Sequence, residues 1–338
     1  MIDFSKIFGN GKDKEKPSSP IHFAKEPPKE KLPSKKEAKK ISEKEKMLGG
    51  IDVKLLYKES LVLADKIFSS SQPILPEDVK EVKEIVEKIV DCITREGERL
   101  VEITFNKLPQ EYHFISLNMV NVCVLSLYIG IALGLSRDKL IDLGIAALLH
   151  DLGMKKYQSI IDQPRKLTPQ EYKEIENHPI VTAQMLSHLK ELSSKILESI
   201  SQEHERMDGS GYPKNLKKEE IDEFAQIMAV VDVYEALTHS RPYREAYKPS
   251  EAIKIMLEMK ERFSYTVMNV FLEKIGIYPK GSYVELNTRE IAQIVRQNPK
   301  LPCYPVIKII YNSKGEKLDE PKEVDLSTNP TVYIRKCL

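Results

Sequence analysis

Five side chains able to hold a metal ion recur through the middle of the chain: His150, Asp151, His178, His204 and Asp232. Imidazole nitrogen and carboxylate oxygen suit iron, manganese or zinc, and the set contains no thiolate that would favour a closed structural zinc site. Helical bundles build di-metal centres by projecting such ligands from separate helices. A centre of that kind lends itself to hydrolysis, because bound ions lower the pKa of water and screen charge on phosphoryl oxygens. His150-Asp151 ends an apolar run over residues 143–149 and precedes Gly153, so the pair lies where a buried helix stops. Neighbouring residues on a helix point about 100° apart, which lets both side chains approach one metal. A charged Asp behind an apolar run is costly unless it is paired or bound to a metal, although a salt-bridged structural pair would explain this dipeptide taken alone. Asp232 follows a second apolar run, over residues 227–231, and Glu203, itself a competent ligand, stands directly before His204.

The ligands need helices to carry them, and residues 111–275 read as helices with short breaks. Thr168-Pro169-Gln170-Glu171 has a Thr cap, Pro at the first helical position and Glu in the capping-box position. His178-Pro179 opens another helix for the same reason, and glycines at 153, 209 and 211 mark turns. Ahead of this region, residues 49–110 are helical. Val79, Val82, Val86, Ile89, Val90 and Ile93 form one apolar stripe, and the break at residues 69–73 with Pro76 separates two helices suited to packing or to homodimerisation. Residues 1–48 are rich in Lys, Glu, Pro and Ser and are expected to be a disordered, solvated tail. After Gly276 the pattern changes: residues 282–286, 306–311 and 331–334 read as strands, with a turn at 312–315, giving a small β extension over 276–338.

Composition narrows the function classes. The 338 residues are 41% apolar and 30% charged, with a net charge of +1, so no DNA or RNA polymer is expected as a partner. Cys92, Cys123, Cys303 and Cys337 form no CxxC pair, which suits reduced thiols in a cytoplasmic protein. No signal peptide is expected. The uncharged stretch 119–135 falls just short of spanning length and carries Asn121 and Ser126, so it reads as a buried core helix and no transmembrane segment is expected.

The string His204-Glu205-Arg206-Met207-Asp208-Gly209-Ser210-Gly211-Tyr212-Pro213 closely resembles the signature of the HD-GYP family. His150-Asp151-Leu152-Gly153, Leu167-Thr168 followed by His178-Pro179, and residues 232–238 running on to Arg241-Pro242-Tyr243-Arg244 resemble further family motifs, in family order across roughly half the chain. The resemblance implies a mainly α protein: an HD-domain helical bundle, preceded by a helical region and followed by a small β extension of the kind seen in some members. It implies hydrolysis of cyclic di-GMP to pGpG, and in some members on to GMP, with divalent iron or manganese ions as cofactors. By motif match Asp151 would be the catalytic bridge between two metals, His150 and Asp232 would serve one ion, and His178 and His204 the other. Tyr212, Arg241 and Arg244 would hold the phosphates or bases of the substrate, and arginine forks suit phosphate.

Four positions depart from the family pattern. Asn118 stands where members carry a histidine ligand, and Phe114, one turn earlier, replaces a glutamate used for a third metal, so no third metal is expected. Met154 replaces a lysine expected to contact the scissile phosphate, although Lys155 and Lys156 follow. Glu203 replaces the first of two histidines. His113, His188 and His239 read as surface residues. Three readings stay open: a metal-dependent cyclic di-GMP phosphodiesterase, a weak or inactive cyclic di-GMP-binding sensor, and a phosphohydrolase acting on another nucleotide.

Overall fold

The computed structural model describes residues 51–105, 111–298 and 301–338; the tail expected over 1–48 lies outside them. Helix α1 (Val53–Ser69) starts at Asp52, whose carboxylate accepts from the Leu55 N–H, and α2 (Pro76–Glu96) starts with Pro76 in its first turn. The stripe expected from residue 79 to 93 is buried along α2. A short α3 (Arg99–Thr104) leads towards α4 (Phe114–Ala132).

Helix α4 is the centre of the bundle. It packs against α1, α5 (Arg137–Leu149), α10 (Glu223–Thr238) and α12 (Tyr265–Ile275). Among the described residues it is the helix long and apolar enough to cross a membrane, yet 83% of its apolar window is buried by its neighbours. Partner helices on every side explain why it is hydrophobic all round, as a central helix must be.

After α5 the chain tightens into a 3-10 segment, His150–Tyr157, followed by α6 (Gln158–Ile161) and α7 (Pro169–Ile175). Helix α7 starts with the expected capping box: the Thr168 hydroxyl accepts from the Glu171 N–H, and the Thr168 N–H donates to the Glu171 carboxylate at 2.7 Å. Helices α8 (His178–Leu186), α9 (Ser194–Gln202) and α11 (Pro249–Glu258) complete the bundle.

Residues 283–337 form a five-stranded antiparallel sheet in the order β4-β3-β2-β1-β5. Strands β1 (Tyr283–Leu286) and β3 (Val306–Tyr311) lie where the sequence pattern puts them, and Gly315 closes the turn after β3 at φ +81. The last strand, β5, spans Ile334–Cys337 rather than 331–334. The Asn287 side chain explains the shift: it binds Thr331 O and the Tyr333 N–H, holding those residues in a turn until pairing begins at Ile334. Alternation of apolar residues did not reveal β2 (Ile291–Arg296) or β4 (Lys317–Asp325). Strand β4 is a charged edge with Pro321, a composition that guards an open edge while hiding the strand. Lys248 ties this sheet to the bundle through the Cys337 carbonyl at 2.7 Å.

One contact fixes the 3-10 turn on α8. The Thr182 hydroxyl receives the Gly153 N–H at 2.8 Å and lies 2.9 Å from both the His150 and His178 carbonyls. A Cβ on Gly153 would come within 2.7 Å of that hydroxyl and would also strike the α8 backbone. Gly153→Ala is therefore expected to destabilise the fold by about 1–3 kcal/mol, the usual cost of overpacking, read from denaturant unfolding midpoints.

Candidate metal site and its cleft

His150 ends α5, Asp151 follows in the 3-10 turn, His178 opens α8, Glu203 and His204 follow α9, and Asp232 lies in α10. The ligating atoms of Asp151, His178, Glu203 and His204 all lie within 4.8 Å of one another. His178 Nε2 is 3.2 Å from Asp151 Oδ1, 3.3 Å from Glu203 Oε1 and 3.1 Å from His204 Nε2. A second group overlaps the first: His150 Nε2 is 3.5 Å from Asp151 Oδ2, 3.9 Å from Glu203 Oε2 and 4.0 Å from Asp232 Oδ1. Asp151 and Glu203 are shared by both groups. Backbone hydrogen bonds aim the rings, since His150 Nδ1 meets Ala147 O and His178 Nδ1 meets Ile175 O, each at 2.8 Å. With Nδ1–H donating outwards, the Nε2 lone pairs converge inwards, as in metal-ligating histidines.

Glu203 supplies the test of whether cations fit. Its carboxylate is about 1% exposed and has no hydrogen bond of good geometry; what faces it is the His178 Nε2 at 3.3 Å and the His150 Nε2 at 3.9 Å, and the latter has no hydrogen-bond partner either. An ion left that way costs several kcal/mol, whereas divalent cations between these groups would satisfy every one of them. The donor set of carboxylate oxygens and imidazole nitrogens fits such ions.

The charges reflect the same crowding. Burial works against protonating His150, yet Glu203, Asp151 and Asp232 push it up to about 9. His178 is likewise pushed up to about 10, against burial, by Asp151 and Glu203. Burial raises Glu203 and Asp232, while His204 is held well below the usual histidine range by burial and by His178 and Arg206. Asp151 is lowered despite burial, chiefly by His150 and His178.

Asn118 lies beside the cluster with its amide nitrogen turned to carboxylates: Nδ2 donates to Asp232 Oδ1 at 3.1 Å and to Glu235 Oε2 at 2.7 Å. Glu235, about 1% exposed, was not anticipated from the sequence. It also accepts from Asn121 Nδ2 at 3.1 Å and from Arg241 at 2.9 Å. His239, Arg241 and Asn118 hold its carboxyl below the ordinary value although burial opposes them. The available signal was a polar pair, Asn118 and Asn121, one turn apart in an otherwise apolar segment.

The cluster opens into a cleft that is continuous with solvent. Asp151, His178, His204 and Asp232 line it with Tyr212, Arg241 and Met154. Tyr212 stacks on His204 with ring centroids 4.8 Å apart, placed by Gly211, where a Cβ would strike the backbone of residues 204–206. Arg241 is held between Glu235 and the Phe114 ring, 5.2 Å from its centroid. Arg244 does not line the cleft: its guanidinium donates to the Ala236, Leu237 and His239 carbonyls at the end of α10. Lys155 does not replace the lysine that Met154 lacks, because its amine binds the Ile67 and Ser70 carbonyls at the end of α1.

Of three histidines read as surface residues, His188 is exposed as expected, while His113 and His239 are half-buried, and all three are bonded. His113 caps α4 through Nδ1 and meets Asp162 at 2.9 Å, His188 meets Ile74 O, and His239 bridges Glu235 and Thr104 O. Each is fixed by a partner distant in sequence, which local pattern does not reveal.

The sequence profile of the HD domain matches residues 94–267, and that of the KOW domain associated with HD domain matches 283–338. The chain belongs to the HD-domain family. A cyclic di-GMP phosphodiesterase of Pseudomonas aeruginosa is 31% identical over 248 residues, 73% of this chain and 59% of that protein. Another, PdeB of Borreliella burgdorferi, is 30% identical over 235 residues, 69% of this chain and 61% of that one. Within the family the chain is of the HD-GYP type. It spans about three fifths of the length of these relatives. A solved structure, an HDG"Y"P protein from Bdellovibrio bacteriovorus, shares the fold with a TM-score of 0.54 at 21% identity, over 65% of this chain and 70% of that one.

The raised histidines make a pH prediction. Free in an unfolded chain they titrate near 6.5, so their stabilising charge is fully present below about that pH and is lost as pH rises through about 9 and 10. Metal-stripped protein is expected to melt at progressively lower temperature between pH 7 and 10, with added divalent metal abolishing most of the decline. Thermal melts across that range, with and without chelator, measure it.

Proposed function

We propose that the chain is a metal-dependent phosphodiesterase that hydrolyses cyclic di-GMP, to pGpG and on to GMP if the linear product re-enters the cleft. The observation that carries this reading is the buried Glu203 carboxylate between His150 and His178, set behind Asp151, His178 and His204, which line a cleft with Arg241 and Tyr212. Two divalent ions, iron or manganese, fit the two overlapping ligand groups. His150 and Asp232 would hold one and His178 and His204 the other, with Asp151 and Glu203 available to both. When bound, such ions lower the pKa of water and screen phosphoryl charge.

The chain's own residues supply the rest. The carbonyls of Ala147 and Ile175 fix the tautomers of His150 and His178, so their rings are aimed before a ligand arrives. Arg241 presents its cation to the cleft without having to be ordered at binding, which lowers the entropic cost of holding a phosphate. Tyr212 offers a ring face and a hydroxyl at the cleft wall. That the Pseudomonas aeruginosa and Borreliella burgdorferi relatives are cyclic di-GMP phosphodiesterases supports that substrate over other nucleotides. Localisation in the cytoplasm, where that messenger circulates, accords with this reading.

A sensor reading has its own support in Met154, which puts a thioether in the cleft while Lys155 is engaged elsewhere. Metal analysis of anaerobically purified protein, with a turnover assay in added ferrous iron or manganese, separates the two. Two metals per chain with product formed establishes the phosphodiesterase. Nucleotide binding with neither metal nor turnover establishes the sensor, and turnover of a different nucleotide alone replaces the substrate. Asp151→Asn is expected to lower metal content and to cut turnover by roughly 100-fold or more, since even residues supporting a ligand are worth about 10–100-fold. Met154→Lys is expected to raise kcat/KM about tenfold, or ~1.4 kcal/mol, the scale of one charge-assisted hydrogen bond to phosphate.

A further inference from the structure

The carboxylate of Glu235 is the hub of a buried polar chain that the catalytic reading leaves unused. From the first helix, Tyr57 OH donates to Asn121 Oδ1 at 2.7 Å, and Asn121 Nδ2 donates onward to Glu235 Oε1 at 3.1 Å. The other oxygen, Oε2, receives Asn118 Nδ2 at 2.7 Å and Arg241 at 2.9 Å. His239 approaches Oε1 at 3.3 Å and reaches the Thr104 carbonyl, at the end of α3, through its other nitrogen. Asn118, Asn121 and Glu235 are each about 1% exposed or less, so water does not substitute for a missing partner.

Asn118 is the link to the metal site. Its amide nitrogen carries two hydrogens, and two carboxylate oxygens, one from Asp232 and one from Glu235, lie within hydrogen-bond distance of it. A carboxamide satisfies both from one atom, whereas an imidazole nitrogen donates a single hydrogen. The flipped amide would set an oxygen against two carboxylates, so the network fixes its orientation. With Asp232 Oδ1 held by Asn118, the carboxylate of Asp232 is oriented before any cation arrives.

We propose that Glu235 is a positioning residue: through Asn118 it orients the metal ligand Asp232, it holds Arg241 at the cleft wall, and through Asn121 and Tyr57 it ties both to the first helix. On this inference, Asn118 has exchanged a ligand's role for an orienting one. It rests on Asp232 being a metal ligand, as proposed above.

Calorimetric titration of the metal-stripped full chain with Mn²⁺ tests this without relying on turnover. Glu235→Gln keeps the shape but presents a carboxamide to donors, and it is expected to weaken Mn²⁺ binding by about 10–100-fold, as losses of supporting partners do. Asn118→Ala is expected to weaken it similarly, and the double variant to be no weaker than the poorer single one, because both act through one linkage. Tyr57→Phe, conservative and two bonds further away, is expected to give a smaller loss in the same direction, and it keeps the test open if Glu235→Gln fails to fold by circular dichroism. Unchanged Mn²⁺ affinity in Glu235→Gln alongside a loss in Asn118→Ala would make Asn118 a ligand through its oxygen and overturn the inference, as would losses that multiply in the double variant. An unaltered chain that binds no Mn²⁺ would overturn the proposed activity and the inference together; normal binding with a silent Glu235→Gln overturns the inference alone.

Discussion

Burying three carboxylates beside one another is the constraint on which the rest of the bundle depends. Asp151, Glu203 and Asp232 all approach His150 Nε2 within 4.0 Å. Like charges so close, with little water around them, repel strongly. In the metal-free protein the histidines answer by holding protons, and in a loaded protein cations would take that part. The surrounding architecture keeps the groups together against this repulsion. Thr182 binds the turn after α5 to the start of α8, and Gly211 lets residues 204–206 be crossed closely by the loop that places Tyr212. The Glu205 carboxylate accepts the Lys214 and Leu216 N–H groups and so closes the same loop.

Much of this was legible in the sequence, and the reason is local. A capping box needs only residues three apart, so the start of α7 could be read at Thr168, and a Pro after His178 marked the start of α8. Apolar runs ending in His150-Asp151 and just before Asp232 gave away side chains that a core must pair or bind. The strand at 306–311 was readable because five of its six residues are apolar, broken by Lys308 alone, whereas β4 is mostly charged and exposed and carries Pro321.

What was not legible depends on distance along the chain. Glu235 looks like an ordinary helical glutamate until Asn118 and Asn121 arrive from more than a hundred positions away. Lys155 seemed free to face a phosphate, and only the fold shows the end of α1 within its reach. Arg244 follows the same logic, since helix-end carbonyls compete with a ligand for a guanidinium, and here they are nearer. Spacing identifies which side chains could do chemistry; tertiary neighbours decide which of them are already occupied.

The cap of α4 carries a consequence for how this molecule divides. Asp65, in α1, accepts both the His113 N–H and the Ser116 hydroxyl, and the His113 ring stacks on Phe68 at 4.8 Å. Lys155, four residues beyond Asp151, grips the same end of that helix through the Ile67 and Ser70 carbonyls. The first helix is thus clasped at two points by the segments that flank the ligands, and a cut near residue 111 would leave both clasps open. A chain begun at residue 111 would keep His113 and Lys155 but lose the helix that pairs with both, so these two side chains would face water instead.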